Sequence, residues 1–424
     1  MDNVVEKVSY ILILTNSYKE EDFPLINFTL NMPTRIHFGK GEVNRTGDIV
    51  AAHAKKALLV TGRSSTKKTG SLDKVITSLN KAGVSYVLFD RIEPNPRATT
   101  IDEAGRIARE ENCELILALG GGSAMDAAKA IATVALSGRP IHEYIRGSKA
   151  SKWKELLPIT EALPIITIPT LAATGSEANS GAVITNWETR EKAGIGGPGL
   201  FPKAAILDPE LTYTVPANYT ADGAADIFTH LYEGYMTGDE HANVQDELTE
   251  GLMRNVLIYA KKALDDPKNY EARAHLLWTS TLALIGIAGA GRGGAFPVHA
   301  MEHTLSAHYD ISHGRGLAII TPAYFEQIIL ADRPHRLARL ARNVFRITED
   351  NDERAAKAGI EALIHWYKEI GVYDTLQGVG IKREDLRLMA DETIRVNGNG
   401  TNTIPGTHNM TADEVLSIFE ASYE

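Results

Sequence analysis

The residues able to do chemistry in this chain cluster at helical spacing. Four of its 13 histidines, His299, His303, His308 and His313, fall in the run PVHAMEHTLSAHYDISHGRGLAI. At about 100° per residue, His299 and His303 lie about 40° apart on one helix face, whereas His308 is about 180° from His299. His313 follows YDIS, where a loop can fold it back before GRGLAII opens the next helix. The run offers a same-face pair, a returning histidine and an outsider. Upstream, in TADGAADIFTHLYEGYMTG, Asp226 and His230 repeat the i,i+4 spacing, with Ile227, Phe228, Leu231 and Tyr235 on the other side. A lone Asp–His pair is ordinary helix-surface chemistry. Two pairs in one helical region, with His313, make a candidate metal site. One carboxylate with two or three imidazoles suits Fe²⁺ or Zn²⁺ and not Ca²⁺ or Mg²⁺. Asp222, one turn before Asp226, is the rival carboxylate and reads as a helix-start residue.

A second group of residues suits a phosphate-bearing cofactor. ELILALGGGSAMDAAKA is a strand, then Gly120, Gly121, Gly122 and Ser123, then a helix. The glycines let backbone approach a ligand, and the helix start supplies free N–H donors and a positive dipole end. The spacing is not GxGxxG, and a plain strand-to-helix turn would look the same. After the strand ending at Val60, the turn VTGRSSTKKTG carries Gly62, Arg63, Ser64, Ser65, Lys67 and Lys68, with no acid before Asp73. A free ribose 2′-hydroxyl is usually held by an acid at such a turn, and a 2′-phosphate by small polar groups and cations. NADP(H) is therefore expected over NAD(H). Thr170 and Thr174, in IPTLAATGSEANSGAVI, follow a buried strand and suit the same crevice, although turn chemistry alone accounts for them too.

These residues need a frame to hold them. KKALLVTG, VSYVLFD, CELILALG and LPIITIPT read as buried strands, alternating with helices SLDKVITSLNKAG, TIDEAGRIAREEN and AMDAAKAIATVALSG. That alternation predicts a mainly parallel sheet with helices on both faces. After AAILDPELTYTVP every strong signal is helical. TADEVLSIFEASYE even opens with a capping box, Thr411 and Glu414. The expected division is an N-terminal extension, 1–26; an α/β dinucleotide-binding domain, 27–206; and an all-helical metal-binding catalytic domain, 207–424. The extension centres on YILIL, too short to span a bilayer. Hydrophobic residues make up 44% and the net charge is −10, which fits a soluble core-forming protein and argues against nucleic acid as a partner. A single cysteine, Cys113, reads as a buried thiol, excludes an internal disulfide or thiolate zinc site, and fits a cytoplasmic setting without membrane attachment. A homodimer is the prior for an enzyme of this size.

The order GGGSAMDAAKA, IPTLAATGSE, GAADIFTHLYEGY and HAMEHTLSAHYDISHGRGLAI resembles the iron-containing, or group III, alcohol dehydrogenases, from about NFTLNMPTRIHFGKG to the C-terminus. PTRIHFGKG and GRSSTKKTG most resemble the NADP(H)-dependent butanol dehydrogenase and aldehyde reductase branch. The resemblance implies a dehydroquinate-synthase-like fold with the active site between the two domains. Carried over by motif, the metal ligands would be Asp226, His230, His299 and His313. His303 would relay protons beside the nicotinamide, and His308 would be a bystander. Asp126 and Lys192 would join Gly121, Gly122 and Ser123 as cofactor contacts, and Phe296 would line the substrate pocket. The implied reaction is hydride transfer between NADP(H) and a small or medium-chain alcohol or aldehyde, with Fe²⁺ or Zn²⁺. A polyol dehydrogenase of the same fold and a non-catalytic metal- and dinucleotide-binding sensor are the alternatives.

Overall fold

The computed structural model describes residues 27–145 and 159–424; the expected extension 1–26 lies outside the described residues. Its first half contains β1 (Arg35–Phe38), β2 (Lys56–Gly62), β3 (Ser85–Ile92), β4 (Leu115–Gly120), β5 (Ile165–Pro169), β6 (Gly181–Asn186), β7 (Glu191–Gly196) and β8 (Ala204–Leu207). Six of them form one parallel sheet in the order β1-β8-β5-β4-β2-β3. Successive side chains on a strand alternate in direction, so a sheet covered on both faces needs apolar residues at every position. Leu58, Val60, Ile116 and Ala118 accordingly pack one way, with the helices Ala98–Glu110 and Gly122–Ser137. Leu59, Leu115, Leu117 and Ile166 pack the other way, against Val50, Leu72, Val75 and Leu79. Each Leu, Ile or Val so buried contributes about 1.5–3 kcal/mol.

The chain steps outward from β2 to β3, then returns to set β4 on the other flank of β2. The C-terminal ends of β2 and β4 therefore bracket a switch point, where ligand crevices form. Strands β6 and β7 pair antiparallel as a separate hairpin, an element not expected from the sequence.

From Ala217 onward long helices share one apolar core, including Ala217–Thr237, Pro297–Tyr309 and His313–Tyr324. This half is not wholly helical. Two short strands, β9 (Ile404–Pro405) and β10 (Asn409–Met410), pair antiparallel, so the all-helical expectation needs that correction. Among the described residues, no helix is long and apolar enough to cross a membrane. Cys113 is buried, as expected.

Candidate metal and cofactor site

The helix Ala217–Thr237 is almost entirely buried, and it carries Asp226 and His230 one turn apart. His299 lies in the first turn of the helix Pro297–Tyr309, and His313 is the first residue of the next helix. Gly314 makes that placement possible. A Cβ there would stand 2.0 Å from the Asp222 carbonyl oxygen, so only glycine lets this helix start press against the Asp226 helix. Three imidazoles consequently converge on one atom: Asp226 Oδ1 lies 3.4 Å from His230 Nε2, 3.6 Å from His299 Nε2 and 3.8 Å from His313 Nε2.

These gaps have the size a cation requires. Ligands about 2.1 Å from a tetrahedral metal stand roughly 3.4 Å from one another. Asp226 Oδ1 and His299 Nε2 are also buried without a hydrogen-bond partner, a costly condition that a metal bond relieves. The donor atoms of Asp226, His299 and His313 all lie within 4.8 Å of one another. His230 falls outside that trio, yet its ring stacks on His299 with centroids 4.5 Å apart. The residues fit a divalent metal of the Fe²⁺ or Zn²⁺ kind, with three nitrogens and one oxygen.

The surrounding charges agree. Burial works against the charged form of Asp226, but the adjacent His230, His299 and His313 outweigh it and hold its carboxyl at about 2. Burial, with the neighbouring His299 charge, outweighs Asp226 and pushes His230 down to about 4, which leaves a neutral imidazole fit to bind a metal. His299 behaves differently. Burial pulls it down, yet the Glu233 and Asp226 carboxylates on either side raise it to about 9. A cation is thus favoured between these two acids, the role a divalent ion would fill.

Two carboxylates that the sequence reading missed orient the ligand candidates. Glu233 binds His299 Nδ1 and also accepts from the Val298 backbone N–H at 2.6 Å. Glu302 binds His313 Nδ1 and the Ser306 hydroxyl. Each directs Nε2 toward Asp226, the usual carboxylate–histidine arrangement behind a metal. The available signal was a glutamate three residues after His230 and after His299, on helices otherwise packed with apolar residues. Asp222 departs from expectation. It lies in the second turn and not at the helix start, and it accepts from Ser312 at 2.6 Å and pairs with Arg315 at 3.0 Å.

His303 stays apart from Asp226. Its ring centroid lies 5.5 Å from that of His313 and 6.3 Å from that of His299. It can also share a smaller acid–imidazole group with Glu302 and His313. Burial, reinforced by the Lys192 ammonium, holds His303 well below the usual histidine range. His303 and His313 are half-buried while Asp226, His230 and His299 are buried, so the cluster opens on the His303 side. Phe296 is exposed, its ring 5.5 Å from His299. The backbone oxygen of His308 accepts from Arg190 at 3.4 Å.

On the other wall, the helix Gly122–Ser137 has no side-chain cap at its start; the Ala124 N–H bonds the Gly121 carbonyl at 3.1 Å, and the helix start presents its positive end at the Gly121–Ser123 turn. A Cβ on Gly122 would lie 2.5 Å from Thr174 Cγ2; glycine here admits the loop after β5. Thr170 N–H bonds the Gly120 carbonyl at 3.0 Å. The same loop reaches the metal cluster, since a Cβ on Gly223 would meet the Ala172 carbonyl at 2.4 Å. The Gly121–Ser123 turn, this loop and the Asp226 helix are in contact one after another.

Other expected cofactor residues are placed less simply. Gly62 ends β2, and Ser64 and Ser65 start a short helix with Lys67 and Lys68 in its last turn. The acid-free turn is not acid-free in space. Arg63 pairs with Glu93 at 3.1 Å, and Lys67 with Asp90, both acids arriving from the β3 end. Asp126 also serves the fold. Its two oxygens accept from Ser176 at 2.6 Å and from Val183 N–H at 2.8 Å, which fastens the β6–β7 hairpin to the helix Gly122–Ser137. Lys192 leaves that hairpin for the metal side, 3.5 Å from Glu302.

A nucleotide-type crevice facing a buried aspartate–histidine cluster defines a class, the metal- and nicotinamide-dependent dehydrogenases of dehydroquinate-synthase-like fold. Residues 33–209 match the family Iron-containing alcohol dehydrogenase, and residues 220–423 match Fe-containing alcohol dehydrogenase family, C-terminal. The chain is 39% identical to NADH-dependent butanol dehydrogenase A of Clostridium acetobutylicum, over 94% of this chain and 100% of that protein. It is 34% identical to NADPH-dependent aldehyde reductase YqhD of Escherichia coli, over 93% and 99%. The crystal structure of NADH-dependent butanol dehydrogenase A from Thermotoga maritima superposes with a TM-score of 0.87 at 35% identity, covering 94% of this chain and 99% of that one. The chain belongs to the iron-containing alcohol dehydrogenase family, in its butanol dehydrogenase and aldehyde reductase branch.

Proposed function

We propose that this chain interconverts a small or medium-chain alcohol and its aldehyde with NADP(H) as preferred cofactor, using Asp226, His230, His299 and His313 to hold Fe²⁺ or Zn²⁺. The convergence of three Nε2 atoms on Asp226 Oδ1 carries this reading. When bound, the metal supplies Lewis acidity toward the substrate oxygen and the nicotinamide gives or takes the hydride. The protein's own part is placement. The Gly121–Ser123 turn seats the pyrophosphate, with Thr170 and Thr174 beside it. Lys192 and Glu302 fix the His313 side, and Phe296 gives the opening an apolar wall. That wall favours an alkyl chain over a polyol. His303, neutral at pH 7 and on the open side, exchanges the hydroxyl proton. A cytoplasmic setting suits the single buried cysteine. A homodimer suits the β1 edge of the sheet, where Phe28, Leu30, Met32, Phe38 and Trp278 are exposed.

The NADP(H) preference rests on Gly62, Arg63, Ser64, Ser65 and Lys68. Lys68 has no ion pair among the described residues and is open to a 2′-phosphate. A second reading, NADH use, is favoured by Glu93 and Asp90, which neutralise Arg63 and Lys67. Gly62→Asp separates the two. A Cβ there meets only the Ile92 carbonyl oxygen at 3.7 Å, so the new carboxylate fits. If Gly62 faces the 2′-phosphate, repulsion raises the NADH-to-NADPH ratio of kcat/KM by about tenfold or more. An unchanged ratio in steady-state assays with butanal removes this turn from cofactor choice.

A further inference from the structure

The turn joining the two histidine-bearing helices contains a residue whose side chain serves neither helix. Asp310 ends the helix Pro297–Tyr309 in a left-handed conformation, φ 53°. Glycine is the usual residue at such an end, and aspartate is tolerated at some cost. What aspartate adds is its carboxylate, and both oxygens are spent on the opposite wall of the cleft. Oδ1 accepts from Asn95 Nδ2 at 2.8 Å, and Oδ2 from Arg97 Nη2 at 3.1 Å.

Asn95 and Arg97 follow β3, beside the switch point where the cofactor crevice opens. Their segment also grips the β6–β7 hairpin. Thr185 N–H bonds the Pro96 carbonyl at 2.9 Å, and the Arg97 guanidinium lies 3.8 Å from the Trp187 ring centre. Arg190 covers Trp187 as well, at 4.2 Å, and donates to the His308 carbonyl at the end of the same histidine helix. The next strand of that hairpin carries Lys192 to Glu302, which orients His313. Two routes thus run from the 95–97 segment to His313: one through Asp310, three residues before it, and one through the hairpin and Glu302.

We infer that Asp310 is a positioning residue, clasping the cofactor wall to the turn before His313 so that a seated cofactor and a held metal stabilise each other. The inference rests on the metal and cofactor reading above. Linkage makes the effect reciprocal: whatever factor the metal adds to cofactor affinity, the cofactor adds to metal affinity.

The test uses the full chain loaded with Zn²⁺ and measures the rate of metal loss to a chelator, with and without saturating NADPH or NADH. Couplings of this kind are roughly five- to 150-fold, so cofactor should slow metal loss in the unaltered protein by a factor in that range. Asp310→Gly keeps the left-handed backbone and deletes the carboxylate. The slowing should fall below about twofold there, with unchanged metal content in the absence of chelator. Asp310→Asn, which keeps one acceptor, should restore part of it. Arg97→Met removes the clasp from the other wall and carries the test if Asp310→Gly does not fold. Full slowing in both deletion variants overturns the inference. So does an unaltered protein that reduces butanal yet loses metal equally fast with and without cofactor. Protein that neither holds metal nor turns over overturns the underlying reading as well.

Discussion

Replacing His299 with alanine should abolish stoichiometric metal and activity together, lowering kcat/KM for aldehyde reduction by roughly 10³-fold or more. His299 stands between two buried acids, bonded to Glu233 through Nδ1 and facing Asp226 across 3.6 Å through Nε2. Alanine removes the Nε2 atom proposed to hold the metal and leaves Glu233 with a buried charge and no imidazole partner, which is strongly unfavourable. Metal analysis by mass spectrometry, with steady-state kinetics and a melting curve, checks the prediction. Retained metal with full activity would mean that the convergence on Asp226 is not the metal site.

His303→Ala should behave oppositely, keeping the metal and losing about 10²-fold in kcat. His303 has no contact with Asp226; its ring faces His313 and His299 from the open side of the cluster. Burial and Lys192 favour its neutral form, whose ring nitrogens can hydrogen-bond a hydroxyl at the open side. Deleting it removes the proposed proton route and none of the four atoms that converge on the candidate site. The diagnostic readout is metal content beside kcat. Loss of stoichiometric metal would place His303 among the ligands, an outcome its shared group with Glu302 and His313 would then explain.

What the sequence revealed follows from how far apart the interacting residues lie. Short, continuously apolar strands alternating with helices showed the parallel sheet, because both faces of β2 and β4 are buried. Spacing of four residues showed the Asp226–His230 pair, and the capping box before the last helix is present in full, Thr411 N–H bonding Glu414 at 2.7 Å. The β6–β7 hairpin escaped notice because buried charges interrupt its apolar pattern. Glu191 is buried against Arg395 and Lys192 against Glu302, partners far along the chain. The turn after β2 read as acid-free for the same reason: Asp90 and Glu93 reach it from the neighbouring strand. The bonds of Asp126 to Ser176 and Val183 were hidden likewise, since those partners lie some fifty residues further on.

The most direct test of the account is NADPH oxidation with butanal, on protein stripped by chelator and then supplied with Fe²⁺ or Zn²⁺ without oxygen. The account predicts that turnover disappears on stripping and returns with metal, the better ion identifying the occupant of the Asp226 cluster. Stripped protein that still reduces butanal at the original rate, or remetallated protein that binds NADPH and never turns over, would contradict it.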